Sequence, residues 1–212
     1  MIGFDPALRI HFVRHGESEE NVLRQFSNRS LGYGLTMRGR NEAAELSVKL
    51  RNLRVERIFS SPLLRAVQTA EILSDLLHAP VESVEALREY DCGVVEGKSD
   101  AQSWDLYDRV AQDWLRGLWE SRIEEGESFL DIKARFIPFV EEIVSKYNGS
   151  SDSFVIVGHG GLYRHMLPLI FGNISFGFPF KHPIGNTDVI VAEPKGRGLF
   201  CDSWCGIVSD HF

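Results

Sequence analysis

Three short apolar runs in this chain each end in residues able to receive an anion. Ile10-His11-Phe12-Val13 leads directly into Arg14-His15-Gly16-Glu17. Phe154 to Val157 leads into Gly158-His159-Gly160-Gly161, and Phe59 leads into Ser60-Ser61-Pro62-Leu63-Leu64-Arg65. Arginine stays charged at any working pH, and its planar fork can hold two oxygens of one phosphoryl group. Neutral imidazole can attack phosphorus, and it titrates close enough to neutrality to be tuned. Glycine after each histidine lets the backbone approach a ligand closely. Taken singly, each histidine reads as a structural residue and each arginine as a surface ion pair. Taken together, Arg14, His15, Arg65 and His159 describe one pocket, provided that the fold brings the three run-ends to one place.

The surrounding pattern supplies a fold that would do so. Arg9 to Val13 reads as a first strand, and Ala43, Leu46, Leu50 and Leu53 recur at helical spacing from Arg38 to Leu53. Val55 to Phe59 reads as a second strand, after which Ser61 offers an N-cap and Pro62 a first helical turn. That helix carries Val67, Ala70, Leu73 and Leu77 as its buried stripe. A third strand falls near Pro80 to Val84. Ser128 then opens a helix with Asp131 as capping partner and Pro138 as an expected kink. Phe154 to Val157 has the unbroken apolar character of a strand buried on both faces, and late strands fall at Val189 to Ala192 and near Leu199 to Ser203. Alternating strands and helices predict a three-layer α/β/α sandwich with a mostly parallel central sheet. In such sheets ligands collect at the carboxyl ends of strands, where helix N-termini present unpaired N–H groups. All three candidate run-ends lie at such positions.

Bulk composition narrows the function. A chain of 212 residues with 43% hydrophobic and 25% charged residues fits one α/β domain spanning 1–212. Its net charge of −7 excludes general nucleic-acid binding, which needs a basic face. Cys92, Cys201 and Cys205 suggest no disulfide framework. A metal site built from Cys201, Cys205 and His211 lacks any paired ligand motif. The first ten residues lack the apolar run of a signal peptide, and no stretch is long enough to span a bilayer, so a cytoplasmic protein without membrane partners is expected. His11 and His165 read as structural, the latter because it should not share a helical face with His159. The segment from Lys98 to Glu127 stands apart: it holds Trp104, Trp114, Trp119 and Tyr107, with eight acids against four bases. It reads either as a helical, lid-like excursion at about 98–127 or as an extra packing helix.

The block Arg14-His15-Gly16-Glu17, followed by Asn21, resembles the signature of the histidine phosphatase superfamily, whose founding branch is the phosphoglycerate mutases. The resemblance covers nearly the whole chain. It includes Leu35-Thr36-Met37-Arg38-Gly39, Ser60-Ser61-Pro62 through Arg65, Gln68-Thr69-Ala70, and Leu87-Arg88-Glu89 with Gly93 and Glu96-Gly97. Gly126-Glu127-Ser128 and Gly158-His159-Gly160-Gly161 complete it, and Asn186-Thr187 resembles a late segment near the family's pocket. The resemblance implies that His15 becomes phosphohistidine and that Glu89 donates and accepts the proton. It implies further that Arg14, Arg65, Asn21, His159 and Gly160 surround the phosphate.

The chemistry agrees with these implied roles. Arg14 and Arg65 should oppose protonation of His15 by like-charge repulsion and stabilise the equatorial phosphoryl oxygens during in-line transfer. Glu89, if protonated, can donate to a departing alkoxide and then take a proton from water. The competing reading of Glu89 is an ion pair with Arg88 or another arginine. The scheme calls for no metal and no cofactor; its partners are a small phosphorylated substrate and inorganic phosphate as product. A mutase would need a closed, basic pocket for a second phosphorylated form of its substrate, and the short acidic excursion favours hydrolysis over that alternative. A non-catalytic scaffold ranks last, because every catalytic group is present. A homodimer remains open, since nothing in the sequence marks an interface.

Overall fold

The computed structural model describes residues 8–29, 32–147, 152–195 and 198–209. Its strands are β1 (Arg9–Arg14), β2 (Val55–Ser60), β3 (Val81–Ser83), β4 (Ser153–Gly158), β5 (Val189–Lys195), β6 (Gly198–Trp204) and β7 (Ile207–Val208). Its helices are α1 (Glu19–Leu23), α2 (Met37–Leu50), α3 (Leu64–Leu77), α4 (Ala101–Leu115), α5 (Phe129–Tyr147), α6 (Gly160–Ile170) and α7 (Phe178–Lys181). The strands form one sheet in the order β3-β2-β4-β1-β5-β6-β7. The first four run parallel and the last three are added antiparallel.

The apolar runs are long because both sheet faces are covered. Ile10, Phe12, Phe154 and Ile156 join one core with residues of α4, α5 and α6. Their alternating neighbours Val13, Val155 and Val157 join a second core with α2 and α3. Successive strand residues point to opposite faces, so a strand between two helical layers must be apolar at every position. The three-layer α/β/α arrangement follows. Ala66 and Ala70 of α3 are fully buried, which lets that helix lie close against the sheet.

Several local expectations meet the structure with differences. α2 ends at Leu50 and not Leu53, with Thr36 as its N-cap accepting from the Gly39 amide at 3.0 Å. α3 does not begin at Ser61: Leu63 is the N-cap, and Pro62 lies before the first turn. The Ser61 hydroxyl is instead engaged by His159, at 2.7 Å, and accepts from the Leu63 amide at 3.3 Å. α5 opens with the expected exchange, Asp131 accepting from the Ser128 amide and Ser128 Oγ accepting from the Asp131 amide, and it continues through Pro138. The two-residue strand β7 is too short to leave a sequence pattern.

The excursion contains α4, capped by Asp100, whose carboxylate accepts from the Ser103 amide at 3.0 Å. Its aromatic residues fall on different faces. Trp114 is fully buried in the core, with its indole N–H donating to the Ser121 carbonyl at 2.8 Å. Trp104 and Tyr107 face a pocket described below. Among the described residues no helix is long and apolar enough to cross a membrane. His211 lies outside the described residues, so the metal reading for Cys201 and Cys205 stands on the two cysteines alone. Among the described residues no group of three metal-ligating side chains comes together.

His11 and His165 are buried with both ring nitrogens unpartnered. His165 sits among Tyr90, Trp114, Phe129 and Phe180. Burial pushes its pKa down to about 3, and burial with Arg9 nearby takes His11 to about 4. Below the ordinary histidine pKa the unfolded chain takes up these protons while the fold refuses them. Their contribution is therefore complete above about pH 6.5 and is lost as the pH falls toward 3 to 4. Urea unfolding at pH 7.5 and 4.5 should show a loss of stability to which His165 contributes roughly 2 to 3 kcal/mol. His165→Phe should remove that share of the difference, whatever the cost of repacking at either pH. An undiminished difference in the variant would assign the acid sensitivity elsewhere.

Candidate active site

The parallel ladder sets the geometry. Arg14 pairs with Gly158 at the ends of β1 and β4, and Ser60 of β2 pairs with Val157. The bonding then continues one residue past the strands: the His15 amide donates to the Gly158 carbonyl at 3.1 Å, and the Ser61 amide to the Val157 carbonyl at 2.9 Å. His15, His159 and Ser61 are thereby held side by side, with the two imidazole centroids 5.1 Å apart. Gly16 is required by packing as much as by chemistry. A Cβ there would lie 2.4 Å from the Gly39 carbonyl oxygen, and one on Gly39 would lie 1.9 Å from that of Glu17. The two backbones touch where α2 begins, which seats the His15 turn against the N-terminus of that helix.

His15 is 3% exposed, and its Nδ1 lies 2.7 Å from the Gly16 carbonyl oxygen. A carbonyl can only accept, so Nδ1 carries the proton and Nε2 of the neutral ring keeps a lone pair. Burial holds the His15 pKa well below its ordinary value, with Arg65 and Arg14 adding to the effect. His159 is likewise pushed down by burial, then by Arg65, His15 and Arg14. Its Nε2 is bonded to Ser61 Oγ, and its Nδ1 is buried without a partner. Both rings are therefore neutral at physiological pH.

Arg14 donates from Nη1 to the Ile184 carbonyl at 2.7 Å, while its Nε is buried and unpartnered. Arg65, 3% exposed, forms a buried ion pair with Glu20 at 2.8 Å and donates to the Ser27 carbonyl at 3.0 Å. Asn21 is held by its Oδ1, which accepts from the Ser18 amide at 3.3 Å and from Asn186 Nδ2 at 3.1 Å. Asn186 also donates to the His15 carbonyl at 3.0 Å, so the late Asn186-Thr187 segment does border the site.

Glu89 reaches the same place from the loop after β3. Its Oε1 accepts from the Tyr90 amide at 3.0 Å and its Oε2 from the Gly161 amide at 2.8 Å. Burial raises its pKa, outweighing these two donors and the charges of Arg65 and Arg135. The competing ion pair with Arg88 is not formed: Arg88 pairs with Glu85 at 2.8 Å.

These groups border one pocket of about 420 Å³. Its floor includes Arg14, His15, Arg65, Glu89, Gly160 and Asn21, and its outer wall includes Arg24, Trp104, Tyr107, Asp108 and Arg164. His159 is not on the pocket wall; it stands behind, against His15 and Ser61. A second groove of similar volume, lined mainly by apolar residues such as Ile137 and Leu169, brings no histidine or arginine together. Sequence reasoning missed the Glu20 counter-ion, the Ser61–His159 contact and the outer arginines. A buried arginine demands an anionic partner, but nothing in the spacing says which of several nearby acids provides it. Arg164 carried a usable signal, because it lies one helical turn beyond Gly160-Gly161 and so shares their face.

The model of the histidine phosphatase superfamily (branch 1) matches residues 10–206. A putative phosphoserine phosphatase 2 from Hydrogenobacter thermophilus is 31% identical over 164 residues, covering 77% of this chain and 79% of that protein. A probable phosphoglycerate mutase GpmB from an Enterobacter species is 29% identical over 165 residues, covering 78% and 75% respectively. Among solved structures, a mycobacterial glucosyl-3-phosphoglycerate phosphatase superposes with a TM-score of 0.78 at 26% identity, covering 92% of this chain and 97% of that one. The protein with that strand-end pocket thus belongs to the histidine phosphatase superfamily, whose phosphoglycerate mutase-like fold it shares.

Gly161 tests how Glu89 is placed. A Cβ there would lie 2.7 Å from Glu89 Oε2 and 2.8 Å from Oε1. The Glu89 carboxylate and the buried Tyr90 ring, whose Cε1 would lie 2.8 Å from that Cβ, must both shift, while no backbone atom stands as close. Gly161→Ala should therefore fold, with stability lowered by about 1 to 3 kcal/mol. Its phosphoryl-transfer turnover should fall on the order of 100-fold, the scale expected for a misplaced group. Turnover within twofold of the parent would show that the position of Glu89 does not matter.

Proposed function

We propose that this chain is a phosphomonoester hydrolase working through a phosphohistidine on His15, with Glu89 as general acid and base. The observation that carries the reading is one pocket holding a neutral, tautomer-fixed His15 between two guanidiniums, with a carboxyl of raised pKa beside them. In the first step Nε2 of His15 uses its lone pair to bond phosphorus, and the bond to the leaving oxygen breaks. That oxygen keeps the electron pair and takes the proton from Glu89. In the second step water attacks phosphorus, Glu89 takes its proton, and the P–N bond returns its pair to Nε2. Arg14 and Arg65 stabilise the charge on the equatorial oxygens throughout. His159 and Ser61, behind His15, act as a buried support for its ring, and Asn21 and Gly160 border the phosphoryl position. Since the protein's own groups supply all these charges, the scheme runs without a metal.

Hydrolysis is favoured over mutase transfer because the 98–127 segment, which brings Trp104, Tyr107 and Asp108 to the outer wall, carries eight acids against four bases, a poor surrounding for a substrate with two phosphoryl groups. The names of similar proteins include both phosphatases and a mutase, which supports phosphoryl transfer in either form.

Phosphate release from a panel of phosphomonoesters, with a chelator present, should be metal-independent and fall at least about 1000-fold in His15→Ala. Acid-labile, base-stable phosphate should be trapped on the parent during turnover. Phosphoglycerate interconversion without net release would select the mutase reading, and release unaffected by loss of His15 would overturn the nucleophile. The pH profile is a separate test. Glu89 must be protonated for the first step, so kcat/KM should fall as the pH rises through its elevated pKa, while His15 stays neutral well below pH 6.5. Glu89→Gln should lower kcat by about 100- to 10000-fold and abolish that alkaline limb. A limb that persists in the variant would assign it to another group.

A further inference from the structure

A carboxylate that orients an arginine takes two parallel N–H bonds from its planar fork. Glu20 takes none from Arg65. Its Oε1 lies 2.8 Å from Arg65 Nε, yet that N–H is not directed at it and has no hydrogen-bond acceptor. Oxygen atoms of the loop after α1 orient the guanidinium instead. Nη1 donates to the Ser27 carbonyl at 3.0 Å, and Nη2 lies 3.5 Å from Asn28 Oδ1. Glu20 is itself fixed independently of Arg65, because the Ser18 hydroxyl donates to its Oε1 at 2.6 Å. Its Oε2 is buried without a donor. Glu20 therefore brings Arg65 a charge without holding it in place.

That charge falls where an anion is received. Glu20 is 4% exposed and borders the same pocket as Arg14, His15 and Arg65. Charges withdrawn from water are little screened, so a carboxylate here repels a bound dianion as well as attracting Arg65. The ester and the inorganic phosphate released from it share the phosphoryl end. Two guanidiniums without a counter-charge would hold both firmly. Affinity given equally to ground state and transition state lowers KM without raising kcat, and the same affinity given to the product retards its release.

Resting on the hydrolase reading above, we infer that Glu20 is a charge-tuning residue, which weakens the hold of the pocket on inorganic phosphate and so lets it empty after each turnover. Calorimetric titration of inorganic phosphate into the protein tests this without requiring turnover. Glu20→Gln keeps the side-chain shape and an acceptor for Ser18 while removing the charge. Its Kd for phosphate should fall by about ten- to a hundredfold, the range for one nearby charge in a largely buried site. Glu20→Asp withdraws the carboxylate and should give an intermediate Kd; it decides the matter alone should the Gln variant not fold. A counter-ion that only secures Arg65 predicts the opposite sign, since a loosened arginine would bind phosphate less well. A Kd unchanged or raised in Glu20→Gln, or in Glu20→Asp where that alone folds, would overturn the inference, as would no phosphate binding by parent and variants alike. During ester hydrolysis the inhibition constant for phosphate should fall in Glu20→Gln by the same factor, with KM falling beside it. Tightened phosphate binding in the variants of a protein that hydrolyses no ester would overturn the hydrolase reading while upholding the effect of Glu20 on the pocket.

Discussion

The site depends on one constraint: the parallel register of β1, β4 and β2. Arg14 opposite Gly158 and Ser60 opposite Val157 bring three strand ends level, and the next residue of each chain segment carries a side chain of the site. The bonds from the His15 and Ser61 amides to β4 carbonyls extend that register beyond the sheet. What fixes it is the burial of both faces. Val13, Val155 and Val157 must meet α2 and α3 while Phe12, Phe154 and Ile156 meet the other layer. A slip of one residue would exchange the faces and turn the strand-end residues the wrong way. Hydrophobic packing thus determines where the imidazoles sit.

That placement creates an electrostatic conflict which the surrounding residues relieve only in part. Two guanidiniums and two imidazoles share a small, largely buried space. The imidazoles stay neutral, since burial and the neighbouring charges both disfavour protonation. Glu20 neutralises Arg65, at the cost of burying an ion pair that depends on both partners being present. Arg14 Nε and His159 Nδ1 remain buried without partners. Unsatisfied groups of this kind are destabilising by about 1 to 3 kcal/mol each and persist where function requires them. The same features that disfavour the site on its own make it receptive to a dianion, which is why the proposed chemistry and the unfavourable local energetics have one origin.

The layers, the strand-end positions of Arg14, His15 and His159, and the family were legible because they rest on repeating or contiguous patterns. Strands buried on both faces leave unbroken apolar runs, and Arg14-His15-Gly16-Glu17 is contiguous. Contacts made across the fold left no such trace. Ser61 looks like an N-cap in sequence, and only the proximity of β2 to β4 reveals that its hydroxyl meets His159. The two roles of the excursion were also unresolved by composition, because a ring that packs and a ring that lines a pocket are the same residue type. Trp114 and Trp104 lie ten positions apart on one helix and face different surroundings.

The excursion and the acid turn out to be mechanically joined. Tyr90, the neighbour of Glu89, stacks on Tyr107 with centroids 5.6 Å apart and packs edge-on against Trp114 at 5.3 Å. Trp114 in turn meets His165 of α6, the helix whose Gly161 amide holds the Glu89 carboxylate. α4 therefore contributes Trp104 and Tyr107 to the pocket wall and, through its buried face, braces the loop and the helix that orient Glu89. Close-packed interiors transmit displacement, because neighbouring side chains have little free volume in which to absorb it. Changes in α4 that alter substrate choice would accordingly reach the carboxyl group as well. In the proposed mechanism the pocket wall and the proton-transferring carboxyl group share one aromatic support, and a substitution there must be judged on both.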